Sequence, residues 1–337
     1  MKNIFSIVLV IIGTLIGAGF ASGREIYIFF LQYGKTGIIG IILSSIITSA
    51  IIFKVLKIVK TYEIENYNKL LERINWKYEY INKIINVIVN AFLLISFYVM
   101  VAGFSAYVAQ SYNIPTYVSS IVFVTICYLT FKKNIKGVIK VNELLVPFLI
   151  LLIMYLGLKN SLFIIKDVDQ INQSKNGWII SSILYTSYNS IVLIPVLTSI
   201  RKCIDNKKAI IKTSIISGLI IILLAISIFG LLLRGEVWAS SLEMPLAEIT
   251  LQFGYIFKYI YGCVIIVSIF TSAISTGYSF LTNISTNKKS YNKILLIICV
   301  TGVFISNIGF SKLVEILYPI FGILGLVQII MICKYRE

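Results

Sequence analysis

The chain has 337 residues, of which 58% are hydrophobic and 13% are charged, and its mean hydropathy is +0.93. Soluble domains carry about a quarter charged residues, so this composition excludes a soluble protein and indicates one that spans a bilayer. The net charge of +16 would point to nucleic acid in a soluble protein, but in a membrane protein basic residues are topology signals beside anionic lipid. We therefore expect membrane lipid, and no nucleic acid, as a partner.

Apolar runs of roughly 20 residues recur along the whole chain, and each is long enough to form a transmembrane helix. They predict an all-α membrane protein with ten spans, at about 3–32, 37–58, 82–110, 116–131, 141–158, 178–199, 212–233, 255–283, 293–309 and 313–332. The polar connection 61–80 predicts a short amphipathic helix at the membrane surface.

Lysine and arginine are distributed unevenly between the two sides of this bundle. If the N-terminus is cytoplasmic, the cytoplasmic side carries 22 of the 30 basic residues and the opposite side carries 7. Because cytoplasmic loops are enriched in lysine and arginine, this asymmetry predicts that both termini lie in the cytoplasm.

The ten spans divide into two halves of five within a single membrane domain, about 3–158 and about 178–332. An odd number of spans in each half makes the halves antiparallel, as a five-plus-five inverted repeat requires. The opening span of each half is interrupted, by "GAGFASGRE" in span 1 and by "LYTSYNSIVLIP" in span 6. Interrupted helices at corresponding positions of two inverted halves predict a midplane binding site in a secondary transporter, with breaks near 17–23 and 185–190.

The interruption of span 1 is rich in small residues that allow backbone to approach a ligand closely. Unwound backbone in a membrane survives beside a cavity, where free N–H groups suit a carboxylate and free carbonyls suit a cation. The alternative is that these residues only let helices pack closely. We assign to substrate binding Gly17, Ala18, Gly19, Ser22 and Gly23.

Arg24 and Glu25 follow the interruption, and a charged side chain at membrane depth is a functional candidate. Glu25 could neutralise a cationic substrate, carry a coupling proton or pair with a gating residue, whereas Arg24 could form an outer gate. A structural ion pair that closes the outer vestibule is the alternative.

Further candidates come from the other spans. Polar and aromatic residues of span 6 predict a lining of the substrate pocket by Tyr185, Tyr188 and Asn189. Tyr98 and Phe104 of span 3 are candidate aromatic walls, and Glu143 of span 5 is a candidate gate on the inner pathway.

The stretch "GTLIGAGFASGREI" resembles the opening helix of the YkvI-type membrane proteins, a bacterial branch of the amino acid–polyamine–organocation superfamily. The resemblance covers the chain by topology and the first helix by motif. It implies a LeuT-type fold, with ten core helices and discontinuous helices 1 and 6, in the bacterial cytoplasmic membrane.

The resemblance also implies a sodium site, because the LeuT-type fold places adjacent hydroxyl residues of helix 8 opposite carbonyl groups of helix 1. In "TSAIS" these are Thr271 and Ser272, with backbone oxygens of Gly13 and Ile16 as partners. Span 5 lacks the basic residue that proton-coupled relatives place there, which favours sodium. Hydroxyls that bond only within their own helix are the alternative.

These features predict a sodium-coupled secondary transporter of a small organic solute, an amino acid or related amine, which works by alternating access. A proton-coupled transporter, or a sensor or channel on the same scaffold, stays open as an alternative. The chain has no histidine and no nucleophile–base set at helical spacing, so we expect no enzyme. Beyond a bound Na⁺ we expect no cofactor.

Overall fold

The computed structural model of the chain describes residues 2–74, 79–161, 177–203, 206–233, 245–306 and 310–335. Within these ranges the regular structure is helical, and no strand occurs in them. The helices are α1 (Lys2–Leu15), α2 (Ala18–Ala21), α3 (Arg24–Phe29), α4 (Lys35–Thr61), α5 (Tyr67–Ile74), α6 (Glu79–Tyr112), α7 (Thr116–Phe131), α8 (Asn134–Ser161), α9 (Trp178–Ser199), α10 (Lys207–Leu232), α11 (Pro245–Ile249), α12 (Tyr255–Ile284), α13 (Lys288–Ile305) and α14 (Phe310–Lys334).

Six helices of the described ranges are long and apolar enough to cross a membrane: α4, α6, α8, α9, α10 and α12. Shorter apolar helices are found in α1, α7 and α14. The outer surface of the bundle is itself apolar. On α10, for example, Ile211, Ile215, Leu219 and Leu223 are exposed at every fourth position, which is the spacing of one helical face. A continuous apolar face of this kind is suited to contact with lipid chains.

The first helix lies at the centre of the bundle. It packs against α8, α9, α10 and α12, and all residues from 7 to 12 are at most 2% exposed. A helix that is apolar on every side is expected to be buried in this way. The centre of the fold is therefore where the chain then leaves regular helix.

The helical path of span 1 is interrupted at two points. α1 ends at Leu15, the chain passes through Ile16 and Gly17 in non-helical conformation, and one turn of helix forms α2. A second turn at Gly23, with φ of +83°, separates α2 from α3. The sequence predicts a break near 17–23, whereas a turn of helix, α2, lies within that range.

The predicted interruption of span 6 at 185–190 is wrong, because α9 is one α-helix from Trp178 to Ser199. Its polar side chains bond within the helix. Ser187 Oγ donates to the Ile183 carbonyl at 2.7 Å, Asn189 Nδ2 to the Tyr185 carbonyl at 3.0 Å, and Ser190 Oγ to the Thr186 carbonyl at 2.7 Å. Since these groups are satisfied by the carbonyl four residues earlier, they do not require unwound backbone.

The predicted amphipathic helix after span 2 is present as α5. Its apolar residues Tyr67, Leu70 and Leu71 are buried against the ends of other helices. The Tyr67 N–H donates to Asn283 Oδ1 of α12 at 3.1 Å, and Gln328 Nε2 of α14 donates to Tyr67 Oη at 2.9 Å. The helix is therefore fastened to the bundle by its apolar face.

Candidate functional site

A small cavity of about 40 Å³ lies beside the interruption of helix 1. It brings together residues that the sequence predicts from separate spans: Gly17, Glu25, Tyr188, Asn189 and Ser272. They come from the interruption, from α3, from α9 and from α12. The cavity is therefore the place where predicted residues of the interruption and of three helices meet.

Glu25 is held in the cavity by the two turns of the interruption. It lies in the first turn of α3 and is 2% exposed. Two carbonyl groups of the preceding turn are satisfied by neighbours, since Tyr261 Oη donates to the Ala21 carbonyl at 2.6 Å and the Leu246 N–H donates to the Ser22 carbonyl at 3.1 Å. These bonds from α12 and α11 fix the turn that directs Glu25 inward.

Gly17 separates two side chains at the cavity wall. A Cβ atom at this position would lie 3.2 Å from Met100 Cε and 3.5 Å from Ser272 Oγ. The absence of a side chain at residue 17 therefore leaves room at the point where α1 ends.

Ser272 connects α12 to the end of α1. Its hydroxyl donates to the carbonyls of Gly13 at 2.9 Å and Thr14 at 3.1 Å. The family resemblance implies a sodium site formed by Thr271 and Ser272 with the carbonyls of Gly13 and Ile16. Ser272 instead bonds to Thr14 in place of Ile16, and the Thr271 hydroxyl donates to the Ser268 carbonyl of its own helix at 3.1 Å.

Asn142 of α8 approaches Gly13 from another side. Its side chain is 0% exposed, and Nδ2 donates to the Val138 carbonyl at 2.9 Å. That bond turns Oδ1 toward Gly13, since a Cβ atom built on Gly13 would lie 2.0 Å from Asn142 Oδ1. Asn142 Oδ1 has no hydrogen-bond partner. A buried acceptor without a donor is costly, and an amide oxygen is a ligand that hard cations accept.

Tyr185 lies beside the cavity and does not line it. Its ring packs edge-on against Phe29 and Phe30, with centroids 5.4 and 4.9 Å apart. It lines a second, smaller space of about 10 Å³, which Asn189 also lines.

Four other predicted residues lie away from the cavity wall. Tyr98 shares a hydrogen bond of 2.5 Å with Thr301 of α13, and the Phe104 ring stacks on Phe123 of α7 at 4.5 Å. Arg24 is half-buried beyond the wall. Glu143 is exposed, and it accepts a hydrogen bond from the Ser6 hydroxyl of α1.

The remaining small residues of the interruption support its backbone. Ala18 is fully buried and Gly19 is buried. Ser22 Oγ donates to the Gly19 carbonyl at 3.1 Å, and Gly23 provides the left-handed turn. These residues do not line the cavity, and they form the backbone that joins Gly17 to Glu25.

Sequence reasoning missed several lining residues. The polar or polarisable ones are Thr14, Ser96, Met100, Thr276 and Phe321, and the apolar ones are Leu15, Val99 and Val192. Helical spacing could have found some of them. Thr276 is four residues after Ser272, and Ser96 and Met100 are also four apart, so each pair occupies one helix face.

A larger polar vestibule of about 600 Å³ lies further along the same helices. It is lined by the ends of α9 and α12, including Thr198, Ser199 and Thr282, and by the basic residues Lys132 and Lys288. Arg201 also lines it and pairs with Glu63 at 2.5 Å.

Comparison with known sequences identifies two relatives of similar length. The chain is 27% identical to the membrane protein YkvI of Bacillus subtilis (strain 168), over 96% of this chain and 94% of that protein. It is also 27% identical to the protein YyaD of the same organism, over 97% of this chain and 95% of that protein. No family model matches the chain.

Three solved structures resemble the fold. MhsT in complex with L-phenylalanine has a TM-score of 0.64 at 14% identity, over 97% of this chain and 87% of that chain. A Na⁺-coupled sialic acid symporter has a TM-score of 0.65 at 14% identity, over 96% and 76%. Mhp1, a nucleobase-cation-symport-1 family transporter, has a TM-score of 0.60 at 12% identity, over 96% and 77%.

The chain is therefore a membrane protein with the LeuT-type fold. Of these structures, the sialic acid symporter and Mhp1 are transporters by name, and their likeness to this chain, at 12–14% identity, concerns the fold. Within that class, the resemblance to the YkvI-type membrane proteins is confirmed over nearly the whole chain.

Proposed function

We propose that the protein is a secondary active transporter of a small organic solute, an amino acid or related amine, in the bacterial cytoplasmic membrane. The observation that carries this proposal is the cavity at the interruption of helix 1, where Gly17 and Glu25 meet side chains of α6, α9, α12 and α14. Irregular backbone at membrane depth is tolerated where it lines a cavity, and secondary transporters bind their substrates at such points.

Alternating access is supported by the positions of the cavity and the polar vestibule. Both spaces are lined by α9 and α12. On α9, Val192 lines the cavity and Thr198 lines the vestibule, a separation of about 9 Å along the helix axis. The vestibule is therefore a candidate inner pathway, separated from the cavity by a thin barrier that small helix movements could open.

An inverted repeat with halves at about 3–158 and 178–332 is supported by the packing. In the first half α1 packs against α8, and the corresponding helices of the second half, α9 and α14, also pack together. The pairs α4–α10, α6–α12 and α7–α13 each join helices at equivalent positions in the two halves. Exchange of the halves preserves these contacts, as the proposed repeat requires.

Sodium is the coupling ion that best fits the residues around Ser272. The Ser272 hydroxyl and the carbonyls of Gly13 and Thr14 are hard oxygen ligands, and Asn142 Oδ1 lies beside Gly13 without a donor. These groups would hold the ion between α1 and α12. The ion gradient would then supply the free energy that drives substrate uptake.

Proton coupling is the second candidate, and it is favoured by the burial of Glu25. The Glu25 carboxyl group is 2% exposed, and a charge at membrane depth is costly. Protonation removes that cost, so Glu25 is a candidate to exchange a proton during a transport cycle. Uptake driven by a proton gradient without sodium would support this alternative.

Ser272→Ala tests the sodium site, with Ser275→Ala as a matched control. Both hydroxyls are buried in α12, but Ser275 bonds only to the Thr271 carbonyl of its own helix, at 2.9 Å. We expect NaCl, relative to KCl, to raise the midpoint of thermal unfolding of the wild-type protein and of Ser275→Ala. We expect Ser272→Ala to lose this response.

Uptake into proteoliposomes, with a panel of amino acids and amines under imposed Na⁺ or H⁺ gradients, tests transport itself. Sodium-driven uptake that Ser272→Ala abolishes would support both parts of the proposal. A wild-type sodium response in Ser272→Ala would show that the ion site is elsewhere. No uptake of any solute under either gradient would leave a sensor as the better interpretation.

A further inference from the structure

We infer that the cavity beside Gly17 takes a small organic cation, a primary amine without a carboxylate, in preference to a zwitterionic amino acid. The inference rests on the proposed function, since it assigns a substrate class to the same site. It follows from the charges, dipoles and size of the cavity.

The first observation is the charge of the wall. Glu25 is the one acidic residue among the described residues that line the cavity, and that wall contains no lysine, arginine or histidine. Arg24, which is adjacent to Glu25 in sequence, does not line the cavity. An ammonium group finds a carboxylate here, whereas a carboxylate finds no cationic side chain.

The second observation is the weakness of the positive helix ends at the interruption. The helices that start after it are short, with four residues in α2 and six in α3. Helices of this length supply only a small fraction of the positive helix end that would hold a carboxylate group.

The third observation is the pair of aromatic rings in the wall. Tyr188 and Phe321 are nearly parallel, with an interplanar angle of 15° and centroids 6.5 Å apart. Phe321 is fixed in turn by the ring of Phe92, at 3.7 Å between centroids. Aromatic faces attract ammonium groups and contribute apolar contact to a short alkyl chain.

The fourth observation is size. A volume of about 40 Å³ holds roughly three water molecules. Ethylamine and ethanolamine are of this order, and each is the decarboxylated counterpart of an amino acid, alanine and serine respectively. These pairs isolate the effect of the carboxylate, because the rest of each molecule is the same.

The test is the affinity of the purified protein for the four compounds, measured from the ligand dependence of its thermal unfolding in NaCl. We expect ethylamine and ethanolamine to bind at least tenfold more tightly than alanine and serine. Ethylene glycol, which replaces the ammonium of ethanolamine by a hydroxyl, should not bind. Glu25→Gln should weaken amine binding at least tenfold and keep the stabilisation by sodium, whereas Glu72→Gln, on the exposed face of α5, should change neither.

Tighter binding of serine or alanine than of the matched amine would overturn the inference, as would unchanged amine affinity in Glu25→Gln. Sodium-driven uptake of another solute without amine binding would also overturn it, while the proposed transport would stand. Amine binding without uptake in proteoliposomes would support the ligand class and contradict the transport function instead.

Discussion

Two glycines of the interruption differ in what a side chain would meet. Gly23 has φ of +83°, and a Cβ atom there would lie 2.9 Å from Leu232 Cδ2 and from Leu246 Cγ. Gly17 has φ of −88°, which other residues adopt readily, and its Cβ would meet the flexible end of Met100. One glycine is therefore needed for the turn, and the other for the space beside the cavity.

Alanine substitutions separate these two roles. Gly23→Ala should lower the free energy of unfolding by about 1–3 kcal/mol, because it combines a strained backbone with close contacts. Gly17→Ala should leave the stability of the fold nearly unchanged but weaken ligand binding, because its methyl group narrows the cavity. Thermal unfolding with and without ligand measures both effects. Equal stability of Gly23→Ala and the wild-type protein would contradict the assigned role of the turn.

At the scale of single residues, the sequence predicted an interruption of span 1, but not its two separate turns, and it predicted part of the cavity lining. Glycines and charges within an apolar run have few structural explanations, so Gly17 and Glu25 stood out. The choice of Tyr98 and Phe104 rested on residue type alone. Tyr98 lies on another face of α6 from Ser96 and Met100, which line the cavity, whereas Phe104 lies one turn beyond Met100 and stacks on Phe123. Residue type does not reveal which face of a buried helix points inward.

At the scale of helices, the sequence predicted the order of the apolar segments better than their continuity. The polar run of span 6 looked like a break, but its side chains bond to the carbonyls four residues earlier and α9 continues. Whether a hydroxyl bonds within its helix or to a ligand depends on its neighbours in space, which the sequence does not give. The apolar spacing of α5, in contrast, was sufficient to predict an amphipathic helix.

The attachment of α5 depends on a buried hydrogen bond that a double-mutant cycle can measure. Burial raises the pKa of the Tyr67 hydroxyl well above its usual range, so the group stays neutral while it accepts from Gln328. Tyr67→Phe leaves the buried Gln328 amide without this partner and should cost about 1–3 kcal/mol of stability. Tyr67→Phe combined with Gln328→Leu should recover much of that loss, because both polar groups are then absent.

Tyr80→Phe is the control for this cycle, since Tyr80 is 77% exposed. Chemical or thermal unfolding of the wild-type protein, Tyr67→Phe, Gln328→Leu and the double variant measures the coupling between Tyr67 and Gln328. Additive effects of the two substitutions would show that the hydrogen bond does not fasten α5 to α14.

At the scale of the whole molecule, the vestibule and the cavity differ in the charge of the side chains that line them. The vestibule is lined by Lys132, Arg201 and Lys288, which belong to loops that the basic-residue count assigns to the cytoplasm. The cavity, which lies deeper along α9 and α12, has an acidic wall. In the proposed orientation, a cationic solute held by Glu25 would pass a vestibule whose basic side chains are offset in part by Glu65, which also lines it, and by the pairing of Arg201 with Glu63.

The orientation can be tested with two single cysteines at opposite ends of α12, in a background without the five native cysteines. Tyr255 is 75% exposed at the start of this helix, and Thr286 is exposed in the vestibule just beyond its end. α12 has 30 residues and is about 45 Å long, so these positions must lie on opposite sides of a bilayer if the helix spans it. Because lysine and arginine are concentrated on the vestibule side, a membrane-impermeant maleimide should label Thr286→Cys in inside-out vesicles and Tyr255→Cys in right-side-out vesicles. The opposite pattern would reverse the proposed orientation, and labelling of both cysteines from one side would contradict the crossing of the membrane by α12.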